Sequence, residues 1–132
     1  MTQYSLLPPG WPRPKGYSNG MCAAGRLVVT AGVVGWNQRQ VFVADTLAGQ
    51  FAQALTNILA IIAEGGAGPA DLVRMTCYVT SIDAYKASLG DIGVAWKAII
   101  GPHFPAMALV EVAGLVEPQA LVEIEATAVV PQ

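Results

Sequence analysis

Two apolar runs near the C-terminus carry carboxylates at positions where a fully buried strand would reject them. The first is Phe104-Pro105-Ala106-Met107-Ala108-Leu109-Val110-Glu111-Val112, and the second is Leu121-Val122-Glu123-Ile124-Glu125-Ala126. Side chains alternate across a strand, so Val122, Ile124, Ala126, Ala128 and Val130 form one clean apolar face, while Glu123, Glu125 and Thr127 share the other. A charge is tolerated there only if something pairs with it, or if its face lines a pocket or an interface. The chain must therefore build a sheet with one packed face and one face kept for another purpose.

Upstream, Leu6 to Lys15 is rich in proline and reads as an extended lead-in. Met21 to Ala24 and Leu27 to Gly32 read as strands around a turn at Gly25-Arg26, followed by a loop marked by Gly32, Gly35 and Asn37. Asp45 can cap a helix running to about Glu64, with Leu47, Phe51, Leu55, Ile58 and Ile62 as its apolar stripe and Gly65-Gly66 as its stop. Leu72 to Val79 reads as a strand whose apolar face is Val73, Met75, Cys77 and Val79, with Leu72, Arg74, Thr76 and Tyr78 on a mixed face. A second helix starts near Ser81 or Asp83, carries Ile82, Tyr85, Leu89, Ile92, Trp96 and Ile99, and ends before Gly101-Pro102. Strands at Ala106–Val112 and Ala120–Val130 complete the order β-β-α-β-α-β-β, with Met107, Leu109 and Glu111 sharing a face. Two helices can cover one face of one sheet. The other face mixes carboxylates, Arg74, Thr76 and Tyr78 with large apolar residues.

Composition says what that second face is for. With 132 residues the chain holds one domain, 1–132, with a proper core. It is 54% hydrophobic and only 12% charged, about half the usual charged share of ~25%. So few charges cover a monomer poorly, and an oligomer that encloses the second face is expected. The net charge is −2 and the seven Lys and Arg are scattered, which disfavours a nucleic-acid partner. Met1 to Gly16 lacks an apolar signal core, and the longest apolar run, Ile58 to Ala63, is far too short to cross a membrane. The expectation is a soluble, cytoplasmic protein with no membrane partner, in which Cys22 and Cys77 are free thiols. A lone histidine, His103, and no Cys/His cluster argue against a metal site.

Several segments together resemble the RidA/YjgF/UK114 family, also called the endoribonuclease L-PSP family. They are Gly16-Tyr17-Ser18, Val29-Thr30-Ala31-Gly32, Gln53 to Ile58, Asp71 to Val79, Phe104-Pro105-Ala106 and Val122 to Ala126, spread over nearly the whole chain. The resemblance implies an α+β, chorismate-mutase-like fold with a single mixed sheet and two helices on one face. It also implies a homotrimer with clefts between subunits, no cofactor, and hydrolysis of reactive enamines or imines to a carbonyl product and ammonia.

The best-known branch holds its substrate carboxylate with an arginine immediately after Phe-Pro-Ala, and here that position is Met107. Arginine clamps a carboxylate through a bidentate pair that a thioether cannot form, a loss of roughly 1.5–3 kcal/mol. By resemblance Glu123 is the catalytic acid or base, and Tyr17, Gly90, Met107 and Leu109 border the substrate, while Gly32, at a strand end, offers a backbone N–H that a ligand can approach closely. Leu109 stands where the branch often has cysteine, and Gly90 where it has a polar residue. The expected substrate is a small molecule that is more apolar, or that lacks an α-carboxylate.

Each residue has a plainer alternative. Glu123 can be a structural partner of Arg74 or Arg26, Tyr17 a packing residue, Gly32 a turn glycine, and Met107 and Leu109 interface packing. Trp96 fits the core stripe, and Cys77 fits the packed face as an inert thiol. Arg39, Lys97 or His103 can supply the missing positive charge, or be ordinary surface residues. A non-catalytic trimer that binds small metabolites or a protein partner is the rival function. A ribonuclease rests only on the family's older name and is opposed by the acidic balance and the absence of a basic patch.

Overall fold

The sharpest local signal, the apolar stripe after Thr46, forms α1, Leu47–Glu64, in a computed structural model that describes residues 3–132. Thr46, not Asp45, is the cap: its backbone is extended and its hydroxyl accepts from the Gly49 N–H at 3.1 Å. Gly66, at φ +81°, turns the chain out of the helix. Phe51, Leu55, Ile58 and Ile62 are fully enclosed. Burying such side chains stabilises the fold by roughly 1.5–3 kcal/mol each.

The strands in chain order are β1 (Gln3–Ser5), β2 (Met21–Ala23), β3 (Arg26–Val29), β4 (Val33–Val34), β5 (Leu72–Val79), β6 (Ala106–Glu111) and β7 (Val122–Val130). The main sheet runs β3-β7-β5-β6, with β4 also paired to β7. Strand β7 is antiparallel to β3, β4 and β5, whereas β5 and β6 are parallel, so the sheet is mixed. The expected pairing around Gly25-Arg26 does not form. Strand β2 pairs instead with β1, which precedes the lead-in, as a separate two-stranded ribbon.

Two further expectations change for local reasons. The second helix is broken into α2 (Ile82–Ala87) and α3 (Leu89–Ile99). At the joint, Ser88 leaves helical geometry, and its hydroxyl bonds back to the Ala84 carbonyl at 2.7 Å, a contact that competes with the helical ladder. In β5 a bulge lies between Leu72 and Arg74, where the pairing steps from Ala128 to Thr127. The extra residue reverses the alternation, so Leu72 joins Met75, Cys77 and Val79 in the core and Val73 does not.

The helices cover one face of the sheet, where Val122, Ile124 and Ala128 are fully enclosed against α1. Buried Gln50 of α1 ties the chain ahead of β7: its amide donates to the Ala44 and Gln119 carbonyls, and its oxygen accepts from Leu121 N–H at 2.8 Å. Asn57 donates to the Val34 and Trp36 carbonyls and so holds β4 against the same helix. Both contacts satisfy polar groups that burial would otherwise leave unpaired. They also position the neighbourhood of Glu123.

Candidate functional site

Sheet register decides which predicted site residues can meet. Met107 and Leu109 sit opposite Met75 and Cys77, so they point to the helix-covered side. Glu123 sits opposite Tyr78 and shares the uncovered face with Glu125, Thr76 and Arg74. Within one chain, the predicted acid and the predicted pocket wall are on opposite faces of the sheet.

On the helix-covered side, a cleft of about 480 Å³ opens between α3, β6 and the segment Lys15–Tyr17. Tyr17, Met107 and Leu109 are among the residues that line it. The remaining walls are Phe51, Tyr85, Leu89, Ile92, Gly93, Trp96 and Phe104. Trp96 donates its indole N–H to the His103 carbonyl at 3.1 Å and lies parallel to Phe104, with ring centroids 5.9 Å apart. The Tyr17 segment is fastened to the start of β6: Ser18 donates its N–H to the Pro105 carbonyl at 3.0 Å and its hydroxyl to the Phe104 carbonyl. Burial pushes the Tyr85 phenol above the usual tyrosine range.

The second half of the constellation lies across the sheet. Gly32 precedes β4, whose Val34 pairs with Glu123. A Cβ on Gly32 would stand 2.5 Å from Oε2 of Glu123, so only glycine lets the carboxylate rest there. Thr30, just before it, accepts from the Ala126 N–H at 3.1 Å and donates its own N–H to the Ala126 carbonyl at 2.9 Å, which fixes the approach. Nearby, Tyr78 donates to Glu125 at 2.8 Å; that bond and the Glu125 and Glu123 charges hold its phenol above the usual tyrosine range. Arg26 donates to the Gly65 carbonyl at 2.6 Å and so serves the end of α1.

Of the other candidates, Gly90 is exposed in the first turn of α3 and does not line the cleft; Gly93, one turn on, does. His103 is bound to the Leu72 carbonyl at 2.6 Å, while Arg39 and Lys97 are exposed and outside the cleft wall. The cation at the cleft is Lys15, which sequence reasoning missed. Its only signal was its place two residues before Tyr17. Cys77 is enclosed and its thiol is pushed up to about 12 by burial, so it stays protonated and unreactive.

Comparisons with known proteins agree with this architecture. The endoribonuclease L-PSP family profile matches residues 12–130. A RutC family protein of Haemophilus influenzae is 36% identical over 105 residues, which is 80% of each chain. The 2-iminobutanoate/2-iminopropanoate deaminase of Escherichia coli K12 is 31% identical over 108 residues, again 80% of each. Among solved structures, the YyfB protein of Yersinia pestis, described as a conserved Rid family member of unknown function, superposes with a TM-score of 0.84. That match is 32% identical and covers 98% of this chain and 100% of the other. On fold, sequence and strand order together, the chain belongs to the endoribonuclease L-PSP (RidA/YjgF/UK114) family.

Proposed function

We propose that the protein is an enamine or imine deaminase of an arginine-lacking branch, working in clefts between the subunits of a homotrimer. The observation that carries this reading is the split of the constellation. Tyr17, Met107 and Leu109 line the cleft, while Glu123 rests over Gly32 on the uncovered face. A neighbouring copy that docks this face beside the cleft would bring a carboxylate to an otherwise acid-free pocket. The uncovered face suits such burial, because Leu27 is 66%, Val29 60% and Val110 43% exposed. Hydrophobic association of that kind follows the closed symmetry usual for homo-oligomers.

In this reading Glu123, as the acid, protonates the enamine carbon or the imine nitrogen. As the carboxylate, it takes a proton from the water that adds to the C=N carbon. The resulting carbinolamine collapses, the C–N bond breaks, and ammonia leaves with a ketone or keto acid. One water is consumed and no electrons are exchanged. Met107 supplies no clamp, so the substrate is more apolar than the small imino acids named for the relatives. The exposed free thiol of Cys22 suits a reducing, cytoplasmic setting. A non-catalytic small-molecule-binding trimer is the second reading, favoured by the absence of any acid among the cleft walls of the single chain.

Ammonia release from 2-aminoacrylate and from an aryl-substituted imine, generated in situ, separates the readings. The native protein should turn over the aryl substrate and be slow on 2-aminoacrylate, with Met107→Arg improving the latter. Glu123→Gln should abolish both. Turnover that survives Glu123→Gln refutes the mechanism, and ligand binding without ammonia release favours the second reading.

A further inference from the structure

Among the described residues, the cleft beside α3 carries a single charged wall residue, Lys15, and no acidic one. The other walls of this cleft are mainly apolar or aromatic, with Phe104 stacked on the buried Trp96 and with Met107 and Leu109 on the strand side, while on its other flank Lys15 borders a more polar groove with Arg13, Asn19 and His103. Gly16, at φ +80°, lets the chain turn so that Lys15 and Tyr17 both border the cleft. Gly93 leaves the α3 wall open, since a Cβ there would meet nothing within 4 Å. The volume, about 480 Å³, is roughly sixteen times one water's share of ~30 Å³. A ligand of aromatic size fits within it.

We propose that the cleft binds organic anions with a flat aromatic body, the ring against Phe104, which is backed by the stacked Trp96, and the carboxylate paired with Lys15. As a statement about substrate it rests on the deaminase reading, and it then names the substrate class: an aryl-bearing imine or enamine that carries one acid group. Lysine suits this role differently from arginine. Its ammonium is a point charge on a flexible stem, so it attracts an anion without dictating a bidentate geometry. The loss of the arginine at Met107 is thus a change in where the anion is held, and it frees the strand side of the cleft for the ring.

Calorimetric titration of the assembled protein with phenylacetate, phenylacetamide and acetate tests the proposal without requiring turnover. Phenylacetate should bind about tenfold more tightly than the neutral amide, as expected for one charge-assisted contact, and acetate should not bind measurably. Lys15→Met should erase the difference between acid and amide while leaving the amide's affinity nearly unchanged, and Lys15→Arg should keep it. Gly93→Phe should block both aromatic ligands, its side chain entering open space on an exposed helix. Equal affinity for acid and amide in the native protein overturns the proposal. So does a preference that survives Lys15→Met, or no phenylacetate binding at millimolar concentration to protein whose circular dichroism is native. If phenylacetate binds as expected but Glu123→Gln leaves ammonia release unchanged, the deaminase reading fails and the anion site stands. If Glu123→Gln abolishes turnover and phenylacetate does not bind, the anion site alone fails.

Discussion

Cys77 and Tyr78 are adjacent in one strand and live under opposite rules. Cys77 faces the helices, is fully enclosed, and has its thiol pushed up to about 12 by burial. Tyr78 faces away, donates to Glu125, and has its phenol raised chiefly by that bond. The same contrast runs along β7, where Val122 and Ile124 are fully enclosed and Glu123 and Glu125 alternate with them on the other face. One face is chosen for packing, where any polar atom is a cost. The other keeps ionisable groups whose placement has no folding rationale within a single chain. A strand can serve both purposes because its side-chain period is two.

Substitutions on the two faces should therefore fail in different assays. The largest effect is expected for Glu123→Gln, with ammonia release down by about 10²–10⁴, as for loss of an acid–base group, and little change in denaturation midpoint. Its opposite is Ile124→Ala, next in sequence and on the packed face: about 2–5 kcal/mol of stability lost in urea unfolding, with the chemistry intact in whatever remains folded. If Ile124→Ala proved mild and Glu123→Gln strongly destabilising, the division of the two faces would be wrong.

Gly32→Ala sharpens the comparison, because its methyl would displace the Glu123 carboxylate rather than core atoms. Turnover should fall by about 10², the typical cost of a misplacement near 1 Å, with unfolding nearly unchanged. Next in size is an alkaline effect from the packed face. Cys77 holds its proton more tightly folded (about 12) than unfolded (near 9), so its contribution is complete below pH 9 and is lost as pH rises toward 12. By pH 10 that amounts to roughly 1 kcal/mol, and Cys77→Ala should flatten the slope of stability against pH between 8 and 10. The smallest effect is expected for Tyr78→Phe on the other face. It removes one hydrogen bond to Glu125 and should register more in ammonia release than in unfolding if Glu125 then moves relative to Glu123.

Helix α1 was legible from its stripe alone, because five apolar residues at helical spacing leave no other periodic solution. The placement of Glu123 on the unpacked face of β7 was equally legible, since strict alternation assigns it. The bulge at Leu72–Arg74 was not, because one extra residue in a strand leaves no mark in an apolar–polar pattern that reads acceptably in either phase. Gly93 and Lys15 escaped notice for a different reason. A glycine in a helix and a lysine in a loop acquire meaning only from what they border.

The amino-acid sequence by itself determined α1, the strands β5, β6 and β7, the packed and unpacked faces of β7, and the family. Tertiary structure alone decided that Met107 and Leu109 turn toward the helices while Glu123 turns away, and that Lys15 borders the cleft. Periodicity fixes which residues of one strand share a face, and says nothing about how the faces of two strands are matched. That match is set by inter-strand register through β5, a long-range pairing in which a slip of one residue would exchange every side chain between the faces.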